Sequence, residues 1–163
     1  MKIEHLEKAL DRIHDWIKSA DHKIGVFLAF QGVIIVILFP YFIKKMLVID
    51  YIFLINFIFL IGIILILWSL YYSVCGIIPK IKNDNAKSYT FFGDIAGMKP
   101  DDYFELVNKK NEEDYIKELC NQIVVSSNVS KDKHRKLRLG IIIFIVGVFF
   151  VGTAYVLTKI YVS

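Results

Sequence analysis

The chain has two cysteines and three prolines in 163 residues. It has no Gly-rich phosphate loop, no Gly-x-Ser-x-Gly elbow and no Cys-x-x-Cys pair. Cys75 and Cys120 stand singly, so neither a disulfide framework nor a zinc site is expected and both thiols should be reduced. Charge is missing locally as well. Ile24–Ile43, Tyr51–Cys75 and Leu139–Leu157 contain no Asp, Glu, Lys or Arg. A bilayer core is about 30 Å thick and takes about 20 apolar residues of helix to cross, so each run is long enough to span. Hydrophobic residues make up 56% of the chain and mean hydropathy is +0.52. Outside the three runs roughly a hundred residues are left, which excludes a classical soluble enzyme and leaves little room for a large catalytic domain.

The N-terminus does not read as a cleavable signal. Met1-Lys2-Ile3-Glu4-His5 is mixed in charge, and the first apolar run begins only at Ile24 without a small-x-small cleavage site. Residues 1–23 carry five Lys and Arg, 44–50 carry two, 76–138 carry twelve, and the tail carries one. Alternate sides therefore hold 17 and 3. The richer side is expected to be cytoplasmic, which sets the N-terminus inside and the C-terminus outside. The net charge of +4 is mostly this bias, since 76–138 balances its twelve cations with ten acids; DNA or RNA is not an expected partner.

The expected fold class is an all-α membrane protein with three transmembrane helices, a cytoplasmic N-terminal amphipathic helix, and a mostly helical cytoplasmic segment between spans two and three. Its parts are 1–23 (heptad helix), 24–43 (first span), 51–75 (second span), 76–138 (cytoplasmic sensor or linker) and 139–160 (third span). In the first part Ile3, Leu6, Leu10, Ile13, Ile17 and Ala20, then Ile24, alternate spacings of three and four, the a/d seam of a heptad repeat. Extended into the span, the seam lands on Phe27, Gln31, Ile34 and Leu38, so one helix of about 40 residues is expected. The seam serves an oligomer, or packs on the central segment of its own chain, or lies on the membrane with Trp16 at the headgroups. Pro40 predicts a kink or an early stop. Gly140, Gly147 and Ala154 fall seven apart and form a small-residue stripe that lets another helix approach.

Between the second and third spans, the run Tyr89–Ile95 reads as an extended stretch or a packed turn. Pro100-Asp101-Asp102 predicts a helix over 100–110. Asn111, followed by Glu112-Glu113-Asp114, predicts a second helix that continues into the third span.

No residue set predicts catalysis, and no cofactor or metal is implied. His5, His14 and His22 lie eight to nine apart, and His134 is remote; helical metal ligands sit three or four apart. Asp101 and Asp102 are accounted for as first-turn acids. The polar groups inside the spans, Gln31 and Asn56, call for partners in other helices or line a wet path. Lys131, Lys133, Arg135, Lys136 and Arg138 cluster before the third span. They read as a headgroup anchor, or as a phosphate site in which Arg135, Lys136 and Arg138 act with Tyr89, Phe91, Phe92 and Asp94, the aromatics stacking on a base.

Trp16-Ile17-x-x-Ala20-Asp21-x-Lys23 running into the first span, Tyr89-Thr90-Phe91-Phe92-Gly93-Asp94-Ile95 followed by Asp102-Tyr103-Phe104, Leu119-x-x-Gln122-Ile123-x-x-x-Ser127, and Lys133-x-x-Lys136-Leu137 together resemble the Pycsar transmembrane effectors, in the right order over nearly the whole chain. The resemblance implies anti-phage defence: a partner cyclase makes cCMP or cUMP after infection, and the effector impairs the inner membrane so that the cell stops growing or dies. This chain shows no recognisable cyclic-nucleotide-binding barrel. The expected partners are then a cyclic pyrimidine nucleotide, membrane lipid and further copies of the chain. The contrasting reading is a structural or adaptor membrane protein that docks a soluble partner without ligand gating.

Overall fold

The computed structural model of the chain describes residues 2–46, 53–78 and 92–162. They form five helices and, among the described residues, no strand: α1 (Lys2–Met46), α2 (Phe53–Ile77), α3 (Phe92–Ile95), α4 (Pro100–Asn108) and α5 (Glu112–Val162). Three of these, α1, α2 and α5, are long and apolar enough to cross a membrane. The protein is thus all-α with three candidate spans, as the charge-free runs predict.

Helix ends follow local chemistry. α1 does not stop early at Pro40 but continues to Met46. Proline removes one hydrogen bond, to the carbonyl four residues back, and spanning helices tolerate that loss when neighbouring helices and local adjustments compensate. Residues 92–95 form one turn of helix, so the extended alternative is set aside there, and Gly97 and Met98 close the turn with N–H bonds to the carbonyls of Asp94 and Ile95. In α4, Pro100 takes the first turn with Asp101 and Asp102, after Lys99 in an extended conformation. Asn111, expected to begin the last long helix, instead caps it. Its Oδ1 accepts the Asp114 N–H at 2.9 Å, and its own N–H donates to Asp114 Oδ2 at 3.3 Å, a reciprocal capping box.

The chain divides into two compact units, residues 1–18 with 79–131 and residues 19–78 with 132–163. In the first, Leu10 and Ile13 of α1 and Leu119 of α5 are buried. The Tyr115 hydroxyl donates to Glu7 Oε1 at 2.8 Å. α4 buries none of its residues, and Phe104 is exposed.

In the second unit all three helices use heptad spacing. α1 turns Ile24 and Gln31 inward, with Phe27, Ile34 and Leu38 half-buried between and beyond them. α2 buries Ile55, Phe59, Gly62, Ile66, Ser69, Ser73 and Gly76, and α5 buries Gly140, Phe144, Gly147, Val151 and Ala154. Alternating steps of three and four keep each seam facing its partners, the spacing of left-handed helix packing. The core is Ile55, Phe59, Ile66, Phe144, Val151 and Ala154. Phe144 meets Phe27 edge-on, with ring centroids 5.5 Å apart. Large apolar side chains such as Val36, Leu60 and Phe149 point outward, as lipid contact requires.

The small-residue stripe of α5 is used against α2. A Cβ placed on Gly147 would lie 3.0 Å from the Gly62 carbonyl oxygen and 3.1 Å from the Ile66 nitrogen. The two backbones touch there, and a side chain would have to push them apart. Around Gly152 a Cβ meets nothing within 4 Å. Gly147→Val is therefore expected to cost about 1–3 kcal/mol, and Gly152→Ala to stay within about 0.5 kcal/mol. Unfolding in mixed micelles, followed by circular dichroism, checks the pair; equal stabilities would refute the backbone contact.

Candidate functional site

An amide in an apolar span has no water to bond to, so its partners must come from protein. Gln31, completely buried, sits on the inward seam of α1, and the seams of α2 and α5 bring hydroxyls and a carbonyl to it. Gln31 Nε2 donates to Ser69 Oγ at 2.6 Å. Ser69 Oγ donates onward to the Gly140 carbonyl at 2.6 Å. Ser73 Oγ lies 3.0 Å from Gln31 Oε1 and 3.2 Å from the carbonyl of Ser69. Gly140 packs against this group, its Cβ position lying in ordinary contact, 3.7 Å, with Ser69 O and Ser73 Oγ. Three helices are thereby joined at one dry point, since Ser69 is also fully buried and Ser73 nearly so. Each interhelical bond of this kind contributes about 0.6–2 kcal/mol.

A second polar layer lies towards the same end of the three helices. Lys133 of α5, its side chain 11% exposed, pairs with Asp21 of α1. Lys136 donates to the carbonyl of Cys75 in the last turn of α2 at 2.8 Å, where a cation complements the carbonyl end of a helix. Asp132 accepts from Arg135 at 2.8 Å and lies 3.4 Å from Lys136. Much of the basic cluster is thus engaged inside the protein. Arg138 and Lys131 are exposed, without an ion pair among the described residues.

The other residues singled out in the sequence fall as follows. Tyr89 and Phe91 lie outside the described residues. Phe92 opens α3 and Asp94 is half-buried in it, within the first compact unit, whereas Arg135, Lys136 and Arg138 belong to the second. Of the seam residues, Leu10, Ile13 and Ala20 are buried and Ile3, Leu6 and Ile17 half-buried within a single chain. Asn56 is half-buried and makes no hydrogen bond with the described residues. Among the described residues no group of His, Cys, Asp or Glu could hold a metal ion. Ser69, Ser73 and the Asp21–Lys133 pair were not legible as partners. The available signal was that Gly62, Ser69, Ser73 and Gly76 recur at heptad spacing through an otherwise apolar run.

Residues 5–158 match the family model of the Pycsar effector protein domain. No curated protein and no solved structure matches the chain. With its three candidate spans, this makes the chain a multi-pass membrane protein.

The Asp21–Lys133 pair gives a test of the polar layer. Asp21→Ala leaves a largely buried ammonium without its carboxylate and should cost about 1–3 kcal/mol. Asp21→Leu combined with Lys133→Met should recover most of that loss. Thermal melts of the detergent-solubilised variants measure both; strictly additive losses would show that the two side chains are not coupled.

Proposed function

The chain belongs to the Pycsar effector family, which acts in anti-phage signalling by cyclic pyrimidine nucleotides from a partner cyclase, and we propose that it answers cCMP or cUMP by impairing the bacterial inner membrane. On this reading it is not an enzyme. The N-terminus and residues 76–138 face the cytoplasm and the C-terminus lies outside, a reading supported by the 17 to 3 distribution of Lys and Arg. Growth arrest or death of the infected cell follows from loss of the membrane barrier.

The observation that carries the proposal is the family match, which runs from the N-terminal helix through all three candidate spans. The helices supply a route for the signal. α1 and α5 each run without interruption from the first compact unit into the spanning segments. A ligand that prefers one arrangement of the cytoplasmic helices shifts the spans by that preference and no more. Arg135 and Arg138, both exposed, offer positive charge for the cyclic phosphate. Tyr89, Phe91 and Phe92 carry rings of the kind that stack on a pyrimidine. Several copies act together in the membrane.

Calorimetry with cCMP, cUMP, cAMP and cGMP on the detergent-purified protein tests ligand response, and dye release from reconstituted vesicles tests membrane impairment. One pyrimidine nucleotide is expected to bind selectively and to trigger release. Arg135→Glu with Arg138→Glu should weaken binding at least tenfold, about 1.4 kcal/mol, in protein that still inserts. Wild-type affinity in that variant removes the basic cluster from the ligand site. No binding and no release with any of the four nucleotides, in folded protein, refutes the proposal.

A further inference from the structure

We infer that the bonds of Gln31 to Ser69 and Ser73 are the resting lock of the three-helix bundle, and that α1 parts from α2 when the effector acts. The inference rests on the proposed function in one respect only, that the chain works by rearranging its spans.

The first argument is which pair of helices is tightly joined. α2 and α5 meet backbone to backbone at Gly62 and Gly147. Neither described glycine of α1 makes such a contact. Gly25 and Gly32 have nothing within 4 Å of their Cβ positions, and α1 reaches its neighbours through side chains, Ile24 on Gly76 and Phe27 on Gly140. α1 is therefore the helix that leaves most easily.

The second argument is where the polar ties lie. They occupy one half of the bundle. Beyond Gln31, α1 presents Ile34, Ile35 and Leu38 to the apolar core, and lipid tails satisfy such side chains as well as protein does. Whether α1 stays is decided at the polar half.

The third argument is an asymmetry within the lock. Ser73 has one hydroxyl proton and two acceptors, Gln31 Oε1 and the Ser69 carbonyl of its own helix. On losing Gln31 it remains bonded, because serine back-bonds readily to the carbonyl four residues before it. Gln31 makes no described hydrogen bond within α1, so parting strands its amide unless water reaches it. The lock thus opens at low cost on the α2 side, and its opening brings a requirement for water into the middle of the membrane. That requirement connects parting of α1 to loss of the barrier.

Gln31→Met keeps the side-chain volume and removes the bonds. It weakens the joined state and relieves the parted one, so the parted population should rise by at least about three- to thirtyfold, the range set by losing even one of the two interhelical hydrogen bonds. Spin labels at Ile37→Cys on α1 and Leu60→Cys on α2, both exposed positions, report the separation in full-length protein carrying Cys75→Ser and Cys120→Ser. The labelled protein is diluted with unlabelled protein in phosphatidylethanolamine–phosphatidylglycerol vesicles without nucleotide. A longer and broader distance distribution in Gln31→Met is expected, with dye release raised in step. Thr153→Val on the exposed face of α5 should leave both readouts unchanged. An unaltered distribution in inserted, helical Gln31→Met protein overturns the lock, and so does an equal change in Thr153→Val. If Gln31→Met does not insert, Ser73→Ala, which removes only the donor to Gln31 Oε1, takes its place with a smaller expected shift and the same criterion. If no cyclic nucleotide releases dye from wild-type vesicles yet the distances lengthen in Gln31→Met, the functional proposal falls and the lock stands. If nucleotide releases dye and the distances do not move, the lock falls and the proposal stands.

Discussion

Within a bilayer the hydrophobic effect gives no reason for one apolar helix to prefer another over lipid, so association rests on close packing and on polar groups that have nowhere else to go. Gln31 imposes the second condition. Along the buried seam of α2 the only hydroxyls are Ser69 and Ser73, and the neighbouring layers are Ile66 and Gly76. Sliding α1 by one heptad would set the amide against apolar side chains and leave it unbonded. A single buried amide therefore fixes register as well as affinity, the role that a lone asparagine plays in a soluble coiled coil. The aromatic contacts of Phe27 and Phe30 with Phe144 fall into place once that register is set.

Close packing is distributed unevenly. Glycine is spent where α2 and α5 cross, at Gly62 and Gly147, and where side chains of α1 rest, at Gly76 and Gly140. Dispersion grows with the number of atoms in contact, so a crossing with no Cβ between the backbones holds more firmly than one propped on Ile24 or Phe27. The bundle accordingly has its closest backbone approach between α2 and α5, while α1 is held through side chains and polar bonds. That hierarchy follows from residue size alone.

Much of this was legible from the amino acids, for identifiable reasons. Absence of charge over the three long runs fixed the spans, because burying a single charge in hydrocarbon outweighs any local preference. The three-four spacing of α1, continued through Gln31, coincides with the face buried within the single chain, past the point where apolar periodicity fades into a uniformly apolar helix. The stripe of Gly140, Gly147 and Ala154 marked the face of α5. What the sequence did not disclose was pairing. Gln31 demands a partner but does not name one, and Ser69 sits inside Trp68-Ser69-Leu70-Tyr71-Tyr72, where the aromatics suggest an interface and mask the hydroxyl. Of the two outcomes expected at Pro40, the early stop is set aside because α1 continues to Met46; in a spanning helix neighbouring helices and local adjustments re-satisfy the freed carbonyl.

The basic cluster before the third span illustrates how one count of charges conceals several functions. All five side chains contribute equally to a positive-inside tally. In the folded chain Lys133 is drawn inward to Asp21, Lys136 covers the last turn of α2 at Cys75, and Arg135 is held by Asp132. Each of those cations is partly neutralised before any ligand arrives. Arg138, in the second compact unit, is exposed and without an ion pair among the described residues. Lys133 and Lys136 tie α5 to α1 and α2, whereas the Arg135–Asp132 pair lies within α5 itself. Charges that count alike in a topology tally therefore do different work, and those that join helices are not the ones turned outward.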